Sequence, residues 1–309
     1  MKKGLQKEHK QVSTFGRRVV NRNPYDLDFQ DIRTMVLTIG LNWSGSSLVG
    51  FLLTAHPNIV IADDMQRFHP VKPMLSRIEY LSTIYNGNLN KLFSAILNID
   101  RLCYQNKISL TSLHNKAQQK PHIIRIRNRH ECYVIVPNQY QGSFERLKVI
   151  GSKASVENTL LLLTNNTLEN LRRRFKRKDI KLKFLFTVRN PYDAASRIKI
   201  KRKDNTEEWL RVFKSCCKRS EKILKRIDPQ DIFLYRHEDM CKDPRRQLAR
   251  LCDFLQVPIL ADYIEDCASR VVQEPYKSRL DINWSPELKE MITRMIEKYD
   301  FFSGYDWES

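Results

Sequence analysis

The stretch Met35–Asp64, MVLTIGLNWSGSSLVGFLLTAHPNIVIADD, constrains this chain more than any other. It opens with a β-prone run, Met35 to Ile39. Gly40-Leu41-Asn42-Trp43-Ser44-Gly45-Ser46-Ser47 follows, and then an apolar, helix-length segment, Leu48 to Ala55, that stops at His56-Pro57. A second β-prone run, Ile59 to Ile61, leads into Asp63 and Asp64. Strand, tight loop, helix and strand make a βαβ unit with the loop at the head of its helix. A helix N-terminus offers unpaired backbone N–H groups and the positive end of a dipole, so such a loop suits a phosphate-like anion.

The loop has the frame of a nucleotide P-loop: a glycine, four residues, a glycine and two more. A triphosphate-binding loop places lysine after the second glycine, where this chain has Ser46. Keeping the amides without that lysine suits a smaller anion than a metal-bound triphosphate. An ordinary Gly/Ser-rich strand-to-helix turn has the same outline, so the rest of the chain must decide.

The segment Ser44-Gly45-Ser46-Ser47-Leu48, followed by His56-Pro57, resembles the 3'-phosphoadenosine-5'-phosphosulfate (PAPS)-dependent sulfotransferases in residue type and spacing. Their loop reads roughly Arg/Lys-Ser-Gly-Thr-Thr/Ser-Leu, and Trp43 stands where the family has its cation. The resemblance implies PAPS as sulfuryl donor, cradled by Asn42, Trp43, Ser44, Gly45, Ser46, Ser47 and Leu48. It extends over roughly residues 35–305, through motifs that are loose one by one but ordered and spaced as in the family.

Length and charge set the frame. The chain has 309 residues, enough for one large α/β domain, and carries a net charge of +19, which favours anionic partners. No apolar run approaches 18 residues, and the basic N-terminus lacks the apolar core of a signal peptide. Seven cysteines show no CxxC spacing, and seven scattered histidines form no ligand pattern. These features predict a cytoplasmic protein with reduced cysteines and no metal. Five β-prone runs alternating with helices predict an α/β fold, a P-loop-type central parallel sheet with helices on both faces. The expected organisation is a basic arm over 1–33 and one domain over 34–309, with an acceptor-side insertion over 66–140.

Several positions along the chain are candidates for the site. Arg125, Arg127 and Arg129 alternate, so on a strand they share one face, which suits an anionic acceptor groove or a solvated surface. Leu147–Lys153 reads as a short apolar strand ending in a lysine, and ligands of open α/β sheets gather at carboxyl ends of strands, which marks Lys153. The run Arg172–Lys178 suits a polyanion or the solvated end of a helix. Phe184–Val188 is a buried-type strand running into Arg189-Asn190-Pro191 and a helix. In the family this unit holds the 3'-phosphate of the donor through the arginine and a hydroxyl eight residues later. Here Ser196 falls seven after Arg189 and Arg197 eight after, so either one fills that place. Glu238 and Asp239, after the strand Ile232–Tyr235, read as capping and pairing groups. Lys277, Ser278 and Arg279 match a family loop that closes over the donor, or form a solvated turn before a helix capped by Ser285-Pro286.

Sulfuryl transfer to an acceptor hydroxyl by in-line displacement needs a base, charge stabilisation on the moving group and help for the leaving oxygen. The loop amides suit the second task and Lys153 the third. In tyrosylprotein-type sulfotransferases a glutamate follows His-Pro at the spacing that here gives Asp64, so the resemblance makes Asp64 the expected base, with Asp63 beside it. The acceptor is any molecule with a free hydroxyl, a glycan or other anionic molecule among them. Two rivals remain at this level: another P-loop phosphotransferase, and a basic protein that binds nucleic acid or polyanions without catalysis.

Overall fold

The structure, a computed structural model, describes residues 29–62, 85–101, 124–125, 132–164, 166–202 and 208–309. Asp63, Asp64, most of the expected arm and much of the 66–140 insertion lie outside the described residues, as do Arg127, Arg129 and His130.

Seven strands are described: β1 (Thr34–Gly40), β2 (Ile59–Ala62), β3 (Ile124–Arg125), β4 (Cys132–Tyr133), β5 (Val149–Ser152), β6 (Lys181–Val188) and β7 (Ile232–Arg236). Five form one sheet in the order β2-β5-β1-β6-β7, and every pairing in it is parallel. The short β3 and β4 pair separately and antiparallel. The helices are α1 (Ser46–Thr54), α2 (Leu89–Arg101), α3 (Ser155–Leu162), α4 (Thr167–Lys176), α5 (Pro191–Arg202), α6 (Glu208–Leu224), α7 (His237–Lys242), α8 (Pro244–Leu255), α9 (Ala261–Ala268) and α10 (Pro286–Lys298).

Side chains alternate between the faces of a strand, so a strand buried at every residue is covered on both faces. β1, β2 and β5 are buried throughout. The expected parallel sheet between two layers of helices is therefore what forms. β5 lies within the expected strand Leu147–Lys153, beginning two residues later and ending one residue before the lysine. A Cβ at Gly151 would lie 2.4 Å from the Val36 carbonyl, so only glycine lets β5 pack this closely on β1.

Polar groups inside the sheet's carboxyl end fix the layer above it. Asn158 on α3 donates from Nδ2 to the carbonyls of Thr38, at 2.9 Å, and Ser152, at 3.1 Å, and accepts from the Tyr85 hydroxyl. The Gly40 N–H donates to Thr159 Oγ1 at 3.0 Å. These bonds satisfy buried groups that would each cost about 1–3 kcal/mol if left unpaired. They also set α3 over the ends of β1 and β5, where the glycine loop leaves the sheet.

The remaining elements follow their signals. α10 begins as expected, with Ser285 Oγ accepting from the Leu288 N–H at 3.3 Å and Pro286 in the first turn. Cys216, Cys217, Cys241, Cys252 and Cys267 are free and buried. In the basic run on α4, Arg172 donates to the Arg226 carbonyl, and Arg174 donates to the carbonyls of Tyr85 and Gly87. These two arginines tie loops to the domain, which leaves a shorter basic surface than the sequence suggests. Among the described residues no helix is long and apolar enough to cross a membrane.

Candidate active site

The loop between β1 and α1 turns on residues with positive φ: Gly40 at 109°, Trp43 at 65° and Gly45 at 85°. Gly45 caps α1 in the left-handed conformation. Ser44 is fully buried, donating from Oγ to the Leu41 carbonyl at 2.6 Å and meeting Thr187 Oγ1 of β6 at 2.7 Å. Its hydroxyl therefore fastens the loop to β6 and is not offered to a ligand. What the loop offers is the set of N–H groups at the head of α1, from Ser46 onward, which a helix leaves without intrahelical partners. Trp43 is 39% exposed and, with Asn42, lines a cavity of about 150 Å³ whose far wall is Ile198, Val212, Phe213 and Cys216.

Lys153 follows β5 directly, and its backbone N–H donates to the Ala62 carbonyl at 3.0 Å. Its aliphatic stem crosses α1 at Gly50, where an added Cβ would lie 3.2 Å from Lys153 Cγ. The ammonium then donates to Ser47 Oγ at 2.9 Å, and the residue is only 6% exposed. A cation missing from the loop at Ser46 is thus delivered to the head of α1 from a neighbouring strand. Gly50 has no special backbone conformation; its bare helix surface lets the lysine lie flat, and a Cβ there would press on the lysine stem.

Arg189 is buried at the end of β6. Its guanidinium donates to the Tyr276 carbonyl, lies 4.0 Å from Asp193 Oδ2, and keeps a buried Nε with no hydrogen-bond partner. Ser196 is fully buried and donates to the Tyr192 carbonyl one turn back, at 2.7 Å. Arg197 sits over the Tyr276 ring, its Cζ 6.0 Å from the centroid. Arg189 and Arg197 thus share Tyr276, and Ser196 turns into its own helix. Lys277 donates to the Glu308 carbonyl at 3.1 Å. Ser278 is buried and donates to the Asp193 carbonyl at 3.1 Å, and Arg279, 2% exposed, pairs with Asp193 at 2.8 Å. The last two therefore serve the fold around Arg189 and present no side chain to solvent.

A parallel sheet with a phosphate-type loop after its first strand, a lysine at that loop and an arginine at the end of β6 is what the sequence resemblance requires. The model of the Sulfotransferase family matches residues 36–262, which covers all of these elements. The chain belongs to the sulfotransferase family. The chain is also similar to solved sulfotransferases. The sulfotransferase domain from the Synechococcus PCC 7002 olefin synthase is 14% identical, over 88% of this chain and 96% of that one, with a TM-score of 0.45. Sulfotransferase STF9 from Mycobacterium avium is 13% identical, over 90% of this chain and 79% of that one, with a TM-score of 0.46. Mouse sulfotransferase SULT7A1, solved with PAP, is 11% identical, over 91% of this chain and 89% of that one, with a TM-score of 0.39. No curated protein matches the sequence.

One residue of this sulfotransferase's loop region escapes the sequence reading. His237 opens α7 directly after β7. Its Nδ1 is shut in without a hydrogen-bond partner, and a Cβ on Gly45 would lie 2.6 Å from it. Its Nε2 faces Cys241 Sγ at 3.8 Å. Burial pushes the imidazole down to about 3, and the nearby Arg189 charge pushes the same way. Glu238, beside it, accepts from the Asn190 N–H at 2.9 Å and from the Tyr305 hydroxyl at 2.6 Å. That is a pairing role, as expected of it. The signal for His237 lies in two distant places, the second glycine of the loop and the residue after a strand. Only the fold joins them.

Gly45 is then doubly constrained. A side chain there must accept a left-handed backbone, at about 1–2 kcal/mol for a non-glycine residue, and must also displace His237. Gly45→Ala is expected to lower stability by about 2 kcal/mol, read as a lower urea midpoint at unchanged slope. A variant as stable as the parent means that the loop and His237 move apart freely.

Proposed function

We propose that this sulfotransferase takes the sulfuryl group from PAPS and passes it to an acceptor hydroxyl by in-line displacement. The observation that carries this reading is the pairing of two cations at the carboxyl end of the sheet, on either side of β1 and its loop. Lys153 stands at the head of α1, and Arg189 is buried at the end of β6 with an unpartnered Nε. An adenosine carrying one phosphate at the 5' position and another at the 3' position needs two separate cationic stations, and a triphosphate needs one run.

In this reading the amides of Ser46, Ser47 and Leu48 hold the 5'-phosphosulfate end, and Lys153 faces the bridging oxygen. Arg189 holds the 3'-phosphate. Arg197, not Ser196, is its partner, because the Ser196 hydroxyl proton is committed to the Tyr192 carbonyl. The S–O bond to the donor breaks as the acceptor oxygen bonds to sulfur, and the electron pair stays on the 5'-phosphate. The acceptor proton goes to a base, for which Asp64 is our assignment. The chain reaches Asp64 two residues after Ala62, whose carbonyl is bonded to the Lys153 backbone. Two residues of chain span at most about 7 Å, so the base and the lysine would serve one reaction centre. We assign the acceptor side to residues 66–140, and the net charge of +19 favours an acceptor that carries negative charge.

Ligand-induced stabilisation tests the donor. A ligand that binds only the folded state stabilises it by about 2.7 kcal/mol at a hundredfold excess over Kd. Adenosine 3',5'-bisphosphate is expected to raise the melting temperature clearly, and ATP less, with or without magnesium. Arg189→Ala is expected to weaken the bisphosphate by about tenfold or more while adenosine 5'-phosphate changes little, since charge-assisted hydrogen bonds contribute about 1.5–3 kcal/mol. A larger, magnesium-dependent shift with ATP points to a phosphotransferase and overturns the assignment. Binding that follows only polyanion charge and vanishes with salt points to a binding protein. Near-physiological salt, where the screening length is about 8 Å, keeps the +19 charge from masking the difference.

A further inference from the structure

Three charges lie buried together beneath the proposed 3'-phosphate site: Arg189, Asp193 and Arg279. Asp193, on the first turn of α5, is 4.0 Å from Arg189 and, among the described residues, is the carboxylate paired with it. A buried carboxylate left to itself pairs with the cation in reach and cancels it. Here it is claimed from the other side. The Arg279 backbone N–H donates to Asp193 Oδ1 and its Nη1 to Oδ2, both at 2.8 Å. Arg279 in turn is held by the segment Asp306–Ser309. Its Nη2 donates to the Ser309 carbonyl at 2.7 Å and the Glu308 carbonyl at 3.3 Å, and its guanidinium lies over the Trp307 ring. Trp307 is wedged edge-on against Tyr192 and Trp284, with Lys289 3.9 Å above it. Asn190, next to Arg189, donates to the Asp306 and Ser309 carbonyls.

We propose that Arg279 is a positioning residue that occupies Asp193 and so leaves the Arg189 charge free for the 3'-phosphate, with Asp306–Ser309 as the strap that keeps it there. This rests on the donor reading above. In it Arg279 acts on the nucleotide through Asp193 and Arg189, and not by closing over it.

The test is a rescue. Binding of adenosine 3',5'-bisphosphate and adenosine 5'-phosphate is measured by calorimetry for the parent chain, Arg279→Gln, and the pair Arg279→Gln/Asp193→Asn. In the single variant Asp193 turns to Arg189, and bisphosphate affinity is expected to fall about tenfold or more while the monophosphate stays within about threefold. In the double variant no carboxylate remains to claim Arg189, and bisphosphate affinity is expected to return to within about threefold of the parent. A double variant as weak as the single, with the monophosphate intact, overturns the proposal, since Arg279 would then touch the ligand itself. Parent-like binding by the single variant overturns it as well. If the single variant fails to fold, the double variant, which buries no unpaired acid, decides by the same criterion. Failure of the donor reading looks different: the parent chain itself shows no preference for the bisphosphate, and both conclusions fall together.

Discussion

Replacing Lys153 with alanine is expected to lower turnover by about 10²–10³-fold, while the affinity for adenosine 3',5'-bisphosphate changes by less than about tenfold. The magnitude is that of one preorganised donor facing charge that develops only in the transition state. The preorganisation is visible. The lysine stem lies along α1 over Gly50, and the ammonium is already held by Ser47 Oγ at 2.9 Å. No rotamer search remains at the moment of reaction. In the proposed reading the helix-head amides and Arg189 hold the product nucleotide as they hold the donor. The loss should therefore fall on kcat more than on binding. Steady-state rates on a confirmed acceptor, with calorimetry on the product nucleotide, separate the two. Full activity in the variant makes Lys153 a packing residue of α1.

Acid should unfold this protein earlier than its carboxylates alone would. His237 has its folded pKa pushed down to about 3, against 6.5 for the free side chain. The unfolded chain thus takes up a proton at this residue below pH 6.5 and the folded chain does not. Stability from the neutral imidazole is fully present above pH 6.5 and is lost as pH falls toward 3. The slope is about 1.4 kcal/mol per pH unit, on the order of 3 kcal/mol by pH 4. His56, also lowered, chiefly by burial, acts in the same direction. The window separates these histidines from salt-bridged acids such as Glu169, whose lowered pKa matters only below the free carboxylate value of 4.5. Urea midpoints between pH 7 and 4.5 should fall in the parent chain and fall less in His237→Asn. A parent midpoint that stays level across that range means the ring protonates in place and Nδ1 is not sealed against Gly45.

The frame of the site was legible because its signals are local. The glycine loop, the apolar α1 and the buried-type β6 each declare themselves within a dozen residues. Their order along the chain is enough to place Lys153 and Arg189 at the sheet's carboxyl end. What was not legible depends on contacts across the chain. Arg279 reads as a loop cation until Asp193 and Asp306–Ser309 are seen to enclose it. Ser196 and Arg197 read as equal candidates until the bond from Ser196 to the Tyr192 carbonyl is seen. His237 matters only because the end of β7 comes down over Gly45, and no periodicity reports that. The expected base, Asp64, lies outside the described residues, so its assignment still rests on the resemblance and on chain connectivity.

The Ser44–Thr187 hydroxyl pair limits how this site can drift over generations. Ser44 has one proton, and a 2.6 Å bond gives it to the Leu41 carbonyl. Thr187 must then be the donor across the 2.7 Å contact between them. An alanine at position 44 strands a buried threonine hydroxyl, and a valine at position 187 leaves a serine oxygen facing a methyl group. Either step alone crosses a valley of about 1–3 kcal/mol, whereas the two together replace the hydroxyl pair with an apolar one of similar shape and leave only the Leu41 carbonyl to find another donor. The two positions lie 143 residues apart in the chain. In any lineage descended from this sequence they should be inherited as a unit.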